Sequence, residues 1–506
     1  MSSLQYLAYG FAHLFVVKTL LLMLGGVCVG LVIGALPGLS ATMGVALFLP
    51  ITYWLSASDS LVFLGSLYMA AIYGGSFSAI LLRTPGTPSN IGTTFDGYPM
   101  SKQGRGWEAI LTATFSSLYG GLFGLFMFLI FAPMLARVAL KFGPPEYFWL
   151  GIFGLTVISS LSRGNTLKGF IGGLIGVLLS TIGVAPVGGN VRFTFNIPEL
   201  IGGVGLIPAL VGLFCIPQVI EMILNRSKQQ LYQEAKVQKG LLWKTFVNVM
   251  KRQIDLLRAS VIGFIIGVLP GAGGNIANLV AYSEAVRASK HPEKFGTGIP
   301  EGVIATEASN NAVVGGGFVP LMTLGVPGTP VDAILYGALL MQGLRPGAEL
   351  FTTRADVVYT FVAGVILATF IMVPVGLAFG RGMAKLITKI PLSLLAPTII
   401  FLTMIGSYCV SNNISDVYMM LMLGLLGFLL RKLGFEAGPI TLGLILGPII
   451  ESGLVQGLLI GKKYPQPWLI FITRPLCWVF ILLSVFFLLW PVIMKKRMVI
   501  PGGDQK

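Results

Sequence analysis

The sequence predicts an all-α polytopic membrane protein. Two inverted-topology repeats are expected, each with a re-entrant helical hairpin and a broken transmembrane helix, giving about 11–12 crossings in all. Three observations predict this: the chain is too apolar for water, it repeats itself, and its Lys and Arg residues collect in alternate loops.

Of 506 residues, 55% are apolar and 10% are charged, whereas an ordinary soluble domain is about 25% charged. Mean hydropathy is +0.85. There are too few charges to build a water-facing shell, which excludes a soluble enzyme, a disordered chain and a nucleic-acid binder. A net charge of +15 would point to a polyanion partner in a soluble protein; in a membrane protein it reflects the Lys and Arg of cytoplasmic loops. Cys28, Cys215, Cys409 and Cys477 lie in apolar runs and read as small buried packing residues. His13 and His291 are the only histidines, too few for a His-rich metal site or Ser-His-Asp catalysis. The apolar N-terminal stretch lacks a basic start and runs on past Gly34, so no cleavable signal peptide is expected.

Repetition is the most informative feature. Gly34-Ala35-Leu36-Pro37-Gly38 recurs as Gly267-Val268-Leu269-Pro270-Gly271, offset by 233 residues. Thr84-Pro85-Gly86-Thr87-Pro88 recurs as Val326-Pro327-Gly328-Thr329-Pro330, offset by 242. Gly173, Gly176 and Gly183 match Gly424, Gly427 and Gly434, each offset by 251. The division that follows is a first repeat at 1–224, a cytoplasmic linker with an amphipathic segment at 225–258, a second repeat at 259–460, and a final transmembrane helix with a basic tail at 461–506.

Charge orients the halves. The linker carries eight Lys/Arg and 287–294 carries three, so both flanks of 259–286 belong in the cytoplasm. One crossing would separate them, whereas a helical hairpin turning at Pro270-Gly271-Ala272-Gly273-Gly274 satisfies both. The matching stretch 21–55 has no Lys or Arg at its far end, so its hairpin opens to the other side, as an inverted repeat requires. The remaining segments are a broken span at 60–100, then 107–136, 147–162, 169–186 and 200–222; and 302–344, 355–380, 392–410, 416–430, 437–460 and 468–494. On this topology, cytoplasmic loops hold 24 Lys/Arg and outside loops seven, with Lys462-Lys463 the worst misfit. Tyr147, Trp149, Trp468 and Trp478 fall near span ends, as interface anchors do.

Four breaks combine Pro, Gly and small polar residues inside apolar surroundings. They supply the substrate-binding candidates: Pro37, Gly38, Ser40 and Thr42; Pro85, Gly86, Thr87, Ser89 and Asn90; Pro270, Gly271, Gly273, Gly274 and Asn275; and Pro327, Gly328 and Thr329. Bare backbone survives in a bilayer only when buried in protein or lining a wet cavity. A half-helix N-terminus offers free N–H groups to an anion, and released carbonyls can hold a cation. A single break reads as a capped kink; four in paired positions read as a transport site. The same motifs could hold Na⁺. Glu307, Asn310 and Asn311, with Ser309, are ion-coupling candidates, because an intramembrane carboxylate is expensive; a solvated or helix-capping role for Glu307 near the cytoplasmic end is the alternative. Asp332 reads as a cap of the second half-helix, and Asp96 and Gln342 as span-end residues. Arg83, just before the first break, is a candidate anion attractor. Tyr73-Gly74-Gly75-Ser76 and Gly315-Gly316-Gly317-Phe318 read as close helix packing.

No Walker A loop, H-E-x-x-H, nucleophile elbow, CxxC or arginine-rich voltage-sensor run is present in the sequence. No resident cofactor is expected beyond Na⁺ or H⁺ as a coupling ion.

The run from Tyr73-Gly74-Gly75 through Thr84-Pro85-Gly86, with Asp96-Gly97-Tyr98-Pro99-Met100 and Gln103-Gly104-Arg105-Gly106, resembles the large membrane subunit of the tripartite tricarboxylate transporters, the TctA family. Leu36-Pro37-Gly38, its echo at 269–271, and Phe142-Gly143-Pro144-Pro145-Glu146-Tyr147-Phe148 fit as well, and the similarity runs over nearly the whole chain. The resemblance implies a secondary active permease of the bacterial inner membrane, not an enzyme. It would import a tricarboxylate, dicarboxylate or aromatic acid, driven by a cation gradient. Its implied partners are a small four-helix membrane subunit and a periplasmic solute-binding protein. Alternating access is expected, in elevator-like form. A passive anion channel or pore is the alternative, and an intramembrane enzyme a more distant one.

Overall fold

The computed structural model describes residues 3–161, 166–224, 240–271, 273–389 and 392–495. Most of the polar linker (225–239), Ala272 within the expected turn of the second hairpin, and the basic tail from 496 onward lie outside the described residues.

The described residues are mostly helical. In order the helices are α1 (Ser3–Leu14), α2 (Val17–Ala35), α3 (Ala41–Phe48), α4 (Ala57–Leu82), α5 (Thr93–Met100), α6 (Gly106–Ala139), α7 (Pro144–Leu161), α8 (Thr166–Ser180), α9 (Leu206–Leu224), α10 (Leu241–Met250), α11 (Gln253–Val268), α12 (Gly273–Ala288), α13 (Pro300–Leu324) and α14 (Pro330–Met341). They continue with α15 (Leu350–Thr353), α16 (Ala355–Lys389), α17 (Leu392–Ser411), α18 (Ile414–Lys432), α19 (Ala437–Gly461), α20 (Ile470–Thr473) and α21 (Pro475–Lys495). The segments expected from hydropathy fall on these elements, including the interruptions between α2 and α3, α4 and α5, α11 and α12, and α13 and α14. A two-residue ladder departs from the all-α expectation: β1 (Gly183–Val184) pairs antiparallel with β2 (Val191–Arg192). Gly183, Gly188 and Gly189 all take positive φ there, so the stretch turns rather than continuing a helix.

Among the described residues, seven helices are long and apolar enough to cross a membrane, and a bent pair at 467–489 makes an eighth. α13, at 25 residues, does not pass that test, yet every residue from Gly302 to Thr323 is buried. It carries Thr306, Glu307, Ser309, Asn310 and Asn311. A helix this polar and this enclosed is an interior element surrounded by protein, not a lipid-facing one.

By compactness the chain falls into two units, one of residues 1–140 and 207–428, the other of 141–206 and 429–506. Each unit is built from two separate stretches of the chain. In the first, α2 packs on α4 and α11 on α13 through the same contacts. A Cβ on Gly30 or Gly34 would strike the carbonyls of Leu67 or Ala71; on Gly263 or Gly267 it would strike those of Ser309 or Val313. The glycines differ by 233 residues and their partners by 242, the two offsets already seen in the sequence. From the other side, Gly74 abuts the Leu31 carbonyl and Gly316 that of Phe264, again at the same offsets. The repetition is therefore one of packing as well as of motif.

In the second unit, α19 packs on α7 and α8, and α21 on α7. Arg474 pairs with Glu146, which is 1% exposed, and Gly143 N–H donates to the same carboxylate at 2.9 Å. Arg192 pairs with Glu451 at 2.8 Å. The aromatic anchors are tied to backbone: Trp149 donates to the Phe471 carbonyl at 3.0 Å and Trp478 to that of Ile472 at 2.7 Å.

All four cysteines are free, but only Cys215 and Cys477 are buried; Cys28 is exposed and Cys409 half-buried. An outward face of an apolar helix is as apolar as its inward face, so hydropathy alone cannot assign the burial of Cys28.

Candidate functional site

The site is built where the α4–α5, α11–α12 and α13–α14 interruptions meet. α4 stops because Arg83 turns left-handed (φ 56°) and Pro85-Gly86 follows. α13 stops at Gly325 (φ 68°), ahead of Pro327-Gly328. Each break then restarts at a threonine. Thr329 caps α14, its hydroxyl oxygen accepting from Asp332 N–H at 3.1 Å. Asp332 therefore stands in the first turn and is not itself the cap, correcting the sequence expectation. Thr87, the counterpart of Thr329, donates instead to the Asn90 Oδ1 at 2.5 Å and lies 2.8 Å from the Ser89 hydroxyl.

Close approach of backbone holds the pieces together. A point where Gly86 would carry a Cβ is filled by the Gly34 carbonyl; the same point on Gly328 lies 2.5 Å from the Gly267 carbonyl. Gly271 N–H donates to the Gly328 carbonyl at 2.7 Å, joining the end of α11 to the second break. Gly274 packs on Ser89 of the first break and on Asn310. Gly92 N–H donates to Asn278 of α12 at 2.8 Å.

Glu307 is fully buried. Asn90 Nδ2 and the Thr93 hydroxyl donate to one of its oxygens at 3.0 and 2.5 Å, and the Ser117 hydroxyl donates to the other at 3.0 Å. It is neither solvated nor a helix cap: it ties α13 to the first break and to α6. Asn311 donates to the Met69 sulfur at 3.2 Å, and these two positions are themselves 242 residues apart. Tyr68 and Asn310 are equivalent in the same way. Tyr68 reaches across to the second break, its hydroxyl 3.2 Å from that of Thr329. Asn310, shorter, lies toward the first break, and neither its Nδ2 nor its Oδ1 has a hydrogen-bond partner among the described residues.

The first Pro-Gly break stands apart from this cluster. Ser40 caps α3, accepting from Met43 N–H at 3.1 Å, and donates to Gln218 of α9 at 3.1 Å. Gln218 in turn donates to the Gly38 carbonyl at 2.7 Å. Gly38 is exposed, and Pro37 and Thr42 are half-buried. An apolar cavity of about 340 Å³ lies beside Leu36 and Leu39, lined further by Val32, Met43 and Leu395; it offers no polar site. Pro85 and Asn275 are half-buried, whereas Pro270, Gly273 and Pro327 are buried with the cluster.

Other expectations resolve differently. Asp96 is not a span-end residue: it is fully buried and gathers Gly296, Gly298 and Ile299 N–H at 2.9–3.1 Å and the Tyr282 hydroxyl at 2.9 Å. Arg83 is exposed, with its guanidinium 5.8 Å from the Tyr98 ring centroid. Thr93, Ser117, Tyr68 and Asn278 were not singled out from the sequence. They look like ordinary span residues; the 242-residue register flags only Tyr68, through its counterpart Asn310, and the other three are found by tertiary contacts alone.

An interior polar helix crossed by interrupted helices, enclosed by apolar spans, defines a polytopic membrane transport component. A family model described as the tripartite tricarboxylate transporter TctA family matches residues 20–442, and the chain belongs to that family. Its members are transporter components rather than enzymes. Two proteins of Agrobacterium vitis are similar. One, described as an uncharacterized 52.8 kDa protein in the TAR-I ttuC' 3' region, is 36% identical over 451 residues, 89% of this chain and 88% of its own length. The other, an uncharacterized protein in the TAR-II ttuC' 3' region, is 35% identical over 238 residues, 46% of this chain and 97% of its own length. No solved structure matches.

Proposed function

We propose that the chain is the permease of a secondary uptake system in a bacterial inner membrane, importing a small carboxylate. A soluble periplasmic protein delivers the substrate, a small membrane subunit completes the complex, and a cation gradient drives import. Membership of a tripartite transporter family supports the three-component arrangement.

The observation that carries the substrate site is Asn310: fully buried, against Gly274, which also meets Ser89, with both amide atoms unpartnered among the described residues. A buried amide without a partner costs about 1–3 kcal/mol per group, a penalty that a bound carboxylate accepting from Nδ2 would remove. Thr87, Ser89 and the start of α12 supply further neutral donors, which suit an anion that must also be released. The two halves, in opposite orientation, exchange the site between faces of the membrane, with the 21–55 and 259–286 hairpins as gates and an elevator movement as the form of exchange. The matched glycine contacts of α2–α4 and α11–α13 support two copies of one fold; their inversion and the 11–12 crossings rest on the charge pattern.

Flux of labelled citrate, succinate and benzoate into vesicles containing the complete complex, with and without an imposed Na⁺ gradient, tests the reading. Gradient-dependent accumulation of one acid is expected. Equal passive flux in both conditions would instead make the protein a channel.

A further inference from the structure

Asp332 is fully buried; neither carboxylate oxygen makes a well-formed hydrogen bond among the described residues, and the Thr329 hydroxyl and N–H are the donors beside it. This differs from Glu307, whose carboxylate receives three donors. An ionised carboxylate left alone in a low-dielectric interior costs several kcal/mol. Its place in the first turn of α14 supplies only the partial positive charge of a helix start, so the group is either neutralised by a proton or met by a cation.

Oxygen ligands stand beside it. The Gly267 carbonyl has lost both of its usual helical donors: Pro270, three residues on, has no N–H, and Gly271 N–H donates to the Gly328 carbonyl instead. One point, where a Cβ of Gly328 would sit, lies 2.5 Å from the Gly267 oxygen and 3.3 Å from the Asp332 Oδ2. The two oxygens are thus at most about 6 Å apart around bare glycine backbone, close to the roughly 5 Å that separates two opposite ligands of one small ion. The Thr329 hydroxyl, bonded to Asp332 N–H, adds a third oxygen from the same turn. Among the described residues no cluster of three or more His, Cys, Asp or Glu exists, so a multi-carboxylate divalent site is not available; a single carboxylate with neutral oxygens suits a monovalent ion. The equivalent position in the first repeat is Asn90, a neutral amide already engaged by Thr87 and Glu307. Of the two breaks, only the second carries a carboxylate at this position.

We propose that Asp332, the Gly267 carbonyl and the Thr329 hydroxyl form a Na⁺ site at the second break, and that this ion is the coupling cation. The proposal rests on the transporter reading and moves the coupling charge away from Glu307.

Thermal unfolding of the purified full-length chain in detergent, with NaCl titrated against choline chloride at constant ionic strength, tests it. The wild-type midpoint is expected to rise with Na⁺ and not with choline, as for any ligand that binds the folded state. Asp332→Asn should abolish the rise and, in choline alone, melt at or above the wild-type temperature, because it removes an unpaired buried charge. Glu307→Gln should keep the rise. Asp332→Glu, which pushes the carboxylate toward Gly317, should shift the Na⁺ midpoint at least tenfold, and serves if the amide variant does not fold. A wild-type protein indifferent to Na⁺, or a rise that survives Asp332→Asn, overturns the site. Neither result bears on carboxylate uptake, which the vesicle flux measures separately.

Discussion

Glu307 and Asp332 are both carboxylates sealed inside the molecule, and their surroundings give them different work. Three neutral donors on Glu307 make it a strut between α13, α6 and the first break. Removing it strands those donors. Glu307→Ala should lower the unfolding free energy by about 3 kcal/mol or more and Glu307→Gln by about 1 kcal/mol, read by denaturant titration in detergent. Equal loss in both variants would mean that the hydrogen bonds contribute little. Asp96 gathers four donors from residues about 200 positions away. Asp96→Ala should destabilise by about 3 kcal/mol and make the 292–299 segment an early site of proteolysis. From sequence, Asp96 sat at the end of an apolar run, where a solvated carboxylate is ordinary; its partners are set by tertiary structure alone. The role of Asp332 was equally illegible, since an acid three residues after a threonine reads first as part of a helix start.

At the level of elements, the helices and their interruptions were legible because each has a local cause. Pro-Gly pairs stop α4 and α13, left-handed turns at Arg83 and Gly325 end them, and Ser40 and Thr329 cap the helices that follow. What the sequence left open was which breaks meet. The 37–42 break resembles its counterpart at 270–275, yet Gln218 of α9 engages it, a pairing across about 180 residues. The packing of α2 on α4 and α11 on α13 makes a paired prediction. Gly30→Ala and Gly263→Ala each drive a methyl into a backbone carbonyl that cannot retreat. Both should destabilise by about 1–3 kcal/mol, more than offsetting the intrinsic gain of about 1 kcal/mol from Gly to Ala in a helix. Gly25→Ala, with nothing within 4 Å of the added carbon, is the control and should be neutral or stabilising. A neutral Gly263→Ala would show that α11 is not held against α13 as described.

At the largest scale, the two offsets of 233 and 242 residues relate glycine contacts and polar positions alike. Where the copies differ, function is to be sought: tyrosine at 68 against asparagine at 310, asparagine at 90 against aspartate at 332. The substitutions leave a free amide at one break and a free carboxylate at the other, one suited to an anion and one to a cation. A moving hairpin predicts that Ser89→Cys with Gly274→Cys forms a disulfide on oxidation, since a Cβ on Gly274 would stand 2.8 Å from that of Ser89 and a small separation of the two brings them to bridging distance. Oxidised vesicles should lose at least about nine-tenths of uptake and regain it on reduction; full uptake in the cross-linked state would exclude movement of α12 away from the first break.

The central claim is that the paired interruptions grip the transported acid. Initial uptake rates, normalised to membrane-inserted protein, for Ser40→Ala, Thr87→Ala, Asn275→Ala and Thr329→Ala in cells carrying the complete complex address it most directly. Rates reduced about tenfold or more at unchanged insertion are expected for Thr87→Ala and Thr329→Ala, with smaller losses at the other two. Wild-type uptake in all four would contradict it.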